Sequence, residues 1–342
     1  MLNTAHKQEV ENGDVSFALV DSRSNPAWHS FANKVFDSDS GDVSISEIMS
    51  GAKLSNWNVR LEDVAPAFPN HNFITDSFLV VRDNPYTAGN TDVLSVVGSR
   101  YKVVQNEELF SFAENLHDGN PDVKVDSAGS LKQGRIVYGS WTLPNELIID
   151  PKGVADKTKL YLIVWTSHDG SVAVQAAITP VRVRCQNTLN LAMKSAKQSF
   201  KIRHTQTAEG KILAAREALG LSVAYFDSFS KQANELYQAS ITDKQFSDLI
   251  RNLYPKPEKD AKGAMKKWEN KVVLIDELYH NSPTNAGIKG TKWGALNALT
   301  ERLDYFRSAR KGNTESLSAS ASGFDPVITA EKNKILKAVL AI

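Results

Sequence analysis

"FLVVRDNPYTAGNTDVLSVVG", Phe78 to Gly98, is two strand-like apolar runs around a turn segment containing Asn84-Pro85 and Gly89-Asn90. It predicts a β-hairpin. The period then changes in "RYKVVQNEELFSFAENLHDG", Arg100 to Gly119. Asn106 is the expected N-cap, and Glu107 and Glu108 occupy the first turn. Leu109, Phe112, Ala113 and Leu116 form a helical stripe ended by Gly119. Further strands are predicted at Val123 to Ser127, Arg135 to Leu143 and Leu160 to Thr166. The turn signal "SHDGS", Ser167 to Ser171, returns the chain as one more strand, Val172 to Val183. Phe73 to Val183 therefore has the order β-β-α-β-β-β-β, an antiparallel sheet with one intervening helix.

Residues 1–55 differ from this block. They form a polar segment with short helices. Trp28, Phe31 and Val35 give one apolar face, and Ser44 or Ser46 caps a helix through Ile45, Ile48 and Met49 that Gly51 ends. After Cys185 the pattern is helical. Helices are predicted at Leu189 to Lys197, Ala208 to Ala239, Asp243 to Asn252, Lys262 to His280 and Lys292 to Arg310, with a last one from Thr329. "LYPKPEKDAKG" is a linker with two prolines, and "GNTESLSASASGF", Gly312 to Phe324, is a low-complexity loop. The fold class is α+β: a sheet unit over 56–188, followed by a helical region over 189–342 packed on it.

The bulk composition is that of an ordinary globular chain, with 42% hydrophobic and 23% charged residues in 342. The formal net charge is +1, so any affinity for nucleic acid must reside in a local patch. A single cysteine rules out an intrachain disulfide and a cysteine-rich zinc site. The start has no apolar signal core, and no apolar run reaches membrane-spanning length. The expectation is a cytoplasmic protein without a membrane partner.

A local patch is present. From Gly170 to Ala208 there is no Asp or Glu, although 39 acids in 342 residues would place about four in a stretch of that length. The same stretch holds Arg182, Arg184, Lys194, Lys197, Lys201 and Arg203. Arg182 and Arg184 alternate on a strand and share a face. Lys194, Lys197 and Lys201 have the spacing of one helical face. Two aligned positive faces form a groove for a phosphate backbone, with Gln186 and Asn187 as further donors. A lysine face is also commonly just a solvated one, and buried arginines can instead pin a sheet through ion pairs.

Tyr101, between Arg100 and Lys102, is the aromatic residue best placed to stack on a base. Cys185 has two neighbouring arginines but no base at a fixed spacing, so a packing role outweighs a nucleophilic one. His168 lies in an Asp-Gly turn, which backbone geometry alone explains. The sequence shows no phosphate-binding or dinucleotide fingerprint and no histidine spacing for a metal. No catalytic residue, cofactor or metal is expected.

Four motifs, "PAWHSFANKV", "LSVVGSRYKVVQNEELFSFAENL", "RVRCQNTLNLAM" and "GTKWGALNALTERLDYFR", resemble the phage/plasmid-like proteins over about residues 25–340. This is a family of unknown function associated with mobile elements. Glu301-Arg302 and Asp304-Tyr305 depart from the Glu-Tyr and Asp-His style of the last motif. The resemblance implies work in DNA replication, recombination or regulation. The element order is also distantly similar to single-strand annealing proteins of the RecT and Redβ type, which implies a basic groove and ring or filament assembly. The expected function is accordingly a non-enzymatic DNA-binding protein of a phage or mobile element. It holds single-stranded DNA through Arg182, Arg184, Lys194, Lys197 and Lys201, with Tyr101 on a base, and promotes annealing as a homo-oligomer. Two other classes stay open: a structural or regulatory interaction protein, and a nucleic-acid enzyme using Cys185 or His168. The stripe Val272, Ile275, Leu278 and Tyr279 serves either subunit contacts or the chain's own core.

Overall fold

Every element predicted between Phe73 and Val183 is present, in the predicted order. A computed structural model of the chain describes residues 15–21, 32–37, 42–64, 76–117, 122–150, 153, 155–172, 174–182, 187–188, 199–202, 227–258, 262–306 and 326–342. The strands are β1 Ser16–Asp21, β2 Lys34–Asp37, β3 Arg60–Asp63, β4 Ser77–Asp83, β5 Thr91–Gly98, β6 Lys124–Leu131, β7 Ile136–Ile149, β8 Asp156–Ser167, β9 Val174–Arg182, β10 Asn187–Thr188 and β11 Ser199–Ile202. The helices are α1 Ile45–Gly51, α2 Asn106–His117, α3 227–238, α4 Asp243–Leu253, α5 Lys262–His280, α6 Lys292–Tyr305 and α7 Pro326–Leu340. The fold is α+β, rich in antiparallel pairing, with its helices concentrated toward the C-terminus.

Two sheets form rather than one. β3, β4 and β5 make a three-stranded antiparallel sheet. An eight-stranded sheet runs β10-β9-β8-β7-β6-β1-β2, with β11 also pairing β9. The polar N-terminal segment therefore supplies strands, not only short helices. β1 lies antiparallel to β6 and parallel to β2. β1 is apolar enough to be core, and Phe17, Ala18 and Leu19 are all buried.

A second correction concerns the basic stretch. Asn187–Thr188 and Ser199–Ile202 are strands, so the helical face extending to Lys201 does not exist. The predicted helix Leu189 to Lys197 lies outside the described residues. So does most of Ala208 to Ala239, whose described part, 227–238, is helical. The low-complexity loop 312–324 is also outside them.

The chain divides into two compact units built from interleaved segments. One gathers Met1–Pro144, Tyr161–Ile178 and Lys197–Ser222, and the other Asn145–Leu160, Thr179–Ala196 and Val223–Ile342. The division runs across strands β7, β8 and β9, not at a single point in the chain.

In the first unit α1 begins with a reciprocal capping box between Ser44 and Glu47. Its C-terminal end is tied to β1 by Ser16, whose hydroxyl donates to the Ala52 carbonyl at 2.8 Å. Helix α2 lays Leu109, Phe110 and Ala113 into the core, and the Phe110 and Trp141 rings sit 5.7 Å apart. Gly139 permits this approach, because a Cβ there would stand 2.7 Å from the Trp141 ring and 2.8 Å from Phe110.

In the second unit the core is helical. Thr242 and Gln245 box the start of α4, and Thr291 caps α6. Phe246 of α4 stacks on Tyr279 of α5 with ring centroids 3.9 Å apart. Trp293 of α6 is fully buried, and its Nε1–H donates to Asp156 Oδ2 at 2.9 Å. Ile275, Leu278 and Tyr279 are buried here and Val272 is half-buried, so most of that stripe belongs to the unit's own core.

Candidate functional site

The predicted DNA-contacting residues fall in three settings. Arg182 ends β9 and stands opposite Asn187 of β10 in antiparallel register. Lys201 stands opposite Gln175, where β11 pairs β9. Strand pairing thus fixes the backbone at both positions. Arg184, Lys194, Lys197 and Cys185 lie outside the described residues.

Tyr101 follows β5 and is half-buried. Its hydroxyl donates to the Ser167 carbonyl at 3.1 Å, and its ring lies under Gly170, where an added Cβ would be 3.7 Å away. Burial, reinforced by the Asp169 carboxylate, pushes the phenol up to about 12, so it stays a donor at neutral pH. Arg100 and Lys102 on either side are exposed.

The bend under Tyr101 contains His168, the residue of the enzyme alternative that the sequence placed in a turn. His168 is fully buried. Its Nε2 lies 3.0 Å from Asn106 Oδ1, while Asn106 Nδ2 donates to the Leu54 carbonyl at 2.8 Å. Asn106 therefore presents its oxygen to the ring, and His168 carries its proton on Nε2. Nδ1 is left as a buried acceptor without a hydrogen-bond partner. Burial, and then the charge of Arg82, lower the imidazole to about 4, against a smaller opposite pull from Asp169. The ring is neutral at physiological pH.

Arg82 is itself 4% exposed. Its Nε–H donates to Asp92 at 2.9 Å and its guanidinium lies 4.0 Å from the Trp57 ring centroid. Gly134, at φ +89°, closes the other side, where a Cβ would fall 2.2 Å from the guanidinium. Two further bonds join the same elements: Arg135 Nε–H donates to the Leu94 carbonyl at 2.9 Å, and the Ser95 hydroxyl to the His168 carbonyl at 2.7 Å. The β4–β5 hairpin is thereby fastened to the β6–β7 and β8–β9 turns. A neutral, enclosed imidazole in such a clamp does packing work, and its proton is committed to Asn106. Proximity in space is the only signal of this cluster, since its members lie between Trp57 and His168 at no characteristic spacing.

Among the described residues, no three His, Cys, Asp or Glu gather as a metal site, and no helix is long and apolar enough to cross a membrane. Comparison with curated proteins and with solved structures finds no match. Residues 93–322, from β5 of the clamped hairpin past the capped α6, match the domain of unknown function DUF932, and the chain belongs to that family.

Proposed function

We propose that the chain is a non-enzymatic single-strand DNA-binding protein, acting in strand annealing for a phage or mobile element. The acid-free stretch is the observation that carries this reading. Six cations stand in 39 residues that hold no Asp or Glu, while the rest of the chain carries more acids than bases. Two of them, Arg182 and Lys201, sit on paired strands along β9, so their backbone positions are held rather than searched for. Annealing needs extended strands held by phosphate contacts, and it needs no catalytic acid or base.

The test is fluorescence anisotropy with a labelled single-stranded oligonucleotide over a salt series. Six phosphate contacts give a slope of about −4 in log affinity against log salt, at about 0.7 per contact. Arg182→Glu with Lys197→Glu should abolish binding and leave the circular dichroism spectrum unchanged. A parent that binds no strand at low salt overturns the reading, as does a folded double variant that binds like the parent.

A further inference from the structure

A second cationic cluster lies far from the acid-free stretch in sequence. "YPKPEKDAKGAMKKWENK", Tyr254 to Lys271, has six lysines against three acids, with an aromatic ring near each end. The fold gathers part of it against α6 and α7. Trp268 Nε1–H donates to the Tyr254 carbonyl at 2.7 Å, which fixes the two aromatic residues together. Lys256 Nζ lies 5.8 Å from the Trp268 ring centroid, and Lys271 Nζ 4.5 Å from that of Tyr254. Arg302 of α6 approaches the same Tyr254 ring at 5.6 Å.

Neutralisation is incomplete. Glu331 of α7 is the carboxylate of this cluster, and its Oε1 already accepts from the Tyr254 hydroxyl at 2.9 Å and lies 3.5 Å from Arg302. Among the described residues Lys271 has no carboxylate within ion-pair distance. It is half-buried, and its ammonium is held below the usual lysine range, first by burial and then by Arg302, against a smaller opposite pull from Glu331. A ring face orients a cation without cancelling its charge. Lys334, also on α7, reaches the Leu253 carbonyl at 3.4 Å and adds another positive charge. The arrangement sets four cations, Lys256, Lys271, Arg302 and Lys334, around the Glu331 carboxylate, and an anion complements their excess positive charge.

We propose that Lys256, Lys271 and Lys334, ranged around Tyr254 and Trp268, form a second phosphate-binding patch that takes the sugar–phosphate backbone of a single strand. The proposal rests on the reading of the chain as a single-strand binder. Rings that hold lysine stems in place lower the ordering cost of binding, which suits a backbone contact with no sequence preference.

The test compares the parent, Lys256→Gln with Lys271→Gln, and Arg182→Glu with Lys197→Glu, in the oligonucleotide salt series. The first double variant should weaken binding and make the salt slope shallower by about 1.4, about 0.7 for each of the two lysine–phosphate pairs it removes. A parent that binds while this variant binds with the same slope overturns the patch and leaves the single-strand reading standing. A parent that binds no strand overturns both. Inorganic pyrophosphate, followed by tryptophan fluorescence, is the second arm. Saturable quenching by pyrophosphate in a parent that ignores the strand shows a site for free phosphate compounds, and refutes the backbone assignment. Thermal melts check the fold, and the exposed Lys256→Gln alone, expected to shift the slope by half as much, serves if the double variant unfolds.

Discussion

His168 donates its Nε2 proton to Asn106 Oδ1 across 3.0 Å, and this bond joins the β8–β9 bend to the first turn of α2. It fixes the tautomer, leaves Nδ1 bare in the interior, and makes the neutral ring a condition of the fold. The imidazole titrates near 4 in the folded chain against 6.5 in the unfolded one. The unfolded state thus binds the proton first as pH falls. The stabilisation is complete above pH 6.5 and drains away between 6.5 and about 4. The loss over that window is about 3 kcal/mol, and about 2 kcal/mol of it comes by pH 5. Urea unfolding at pH 7 and pH 5 measures it. His168→Gln should flatten the dependence between those two values, and an unchanged slope would show that another group dominates.

Asn106→Ala tests the other side of the bond. It strands the imidazole N–H and the Leu54 carbonyl, both inside the protein. A cost of about 2 to 3 kcal/mol is expected, more than a neutral surface bond would give. A shift in the urea midpoint corresponding to less than about 1 kcal/mol would mean that water replaces the amide.

Gly134→Ala should be more damaging than a turn substitution normally is. The residue combines a positive φ with a Cβ position 2.2 Å from Arg82 and 2.9 Å from Trp57. The left-handed conformation alone costs about 1 kcal/mol, and displacing a stacked, ion-paired arginine adds about 1 to 3 kcal/mol. The expected fall in stability is therefore about 2 to 4 kcal/mol. It should be accompanied by a change in the near-ultraviolet signal of Trp57, and a midpoint like the parent's would refute the clamp.

The strands and helices of 73–183 are legible in the sequence because alternation, capping and turn chemistry are local. Ser44 and Thr242 cap helices as their neighbours dictate. What escapes is non-local. β2, "KVFD", is too short for a period, and only its parallel pairing with β1 makes it a strand. "SFKI" around Lys201 is equally short, and its pairing with β9 overrides the helical spacing of the lysines around it. Asn106 has the sequence position of a cap, yet its side chain is drawn inward by His168, 62 residues away. The Gln105 amide N–H is instead satisfied by Glu108. The candidate site is legible only as charge, since an absence of acids needs no geometry to be seen. The clamp and the Tyr254 cluster depend on contacts across the fold, which spacing does not encode.

The last prediction concerns assembly. Most of the stripe on α5 is occupied by the core, so apolar helix faces no longer argue for subunit contacts. Electrostatics still favours assembly. Six cations on a near-neutral chain give each subunit only a few phosphate contacts. Each contact is strongly weakened by salt. A long strand is held usefully only where many copies of the patch engage it together, as linked sites raise one another's effective concentration. The chain should therefore form a homo-oligomer larger than a dimer, and added oligonucleotide should enlarge it further. Light scattering with and without the strand measures this. Arg182→Glu with Lys197→Glu should suppress the strand-dependent growth while leaving the strand-free mass unchanged. A particle of 37.6 kDa under both conditions would remove the annealing mechanism and leave at most a monomeric strand binder.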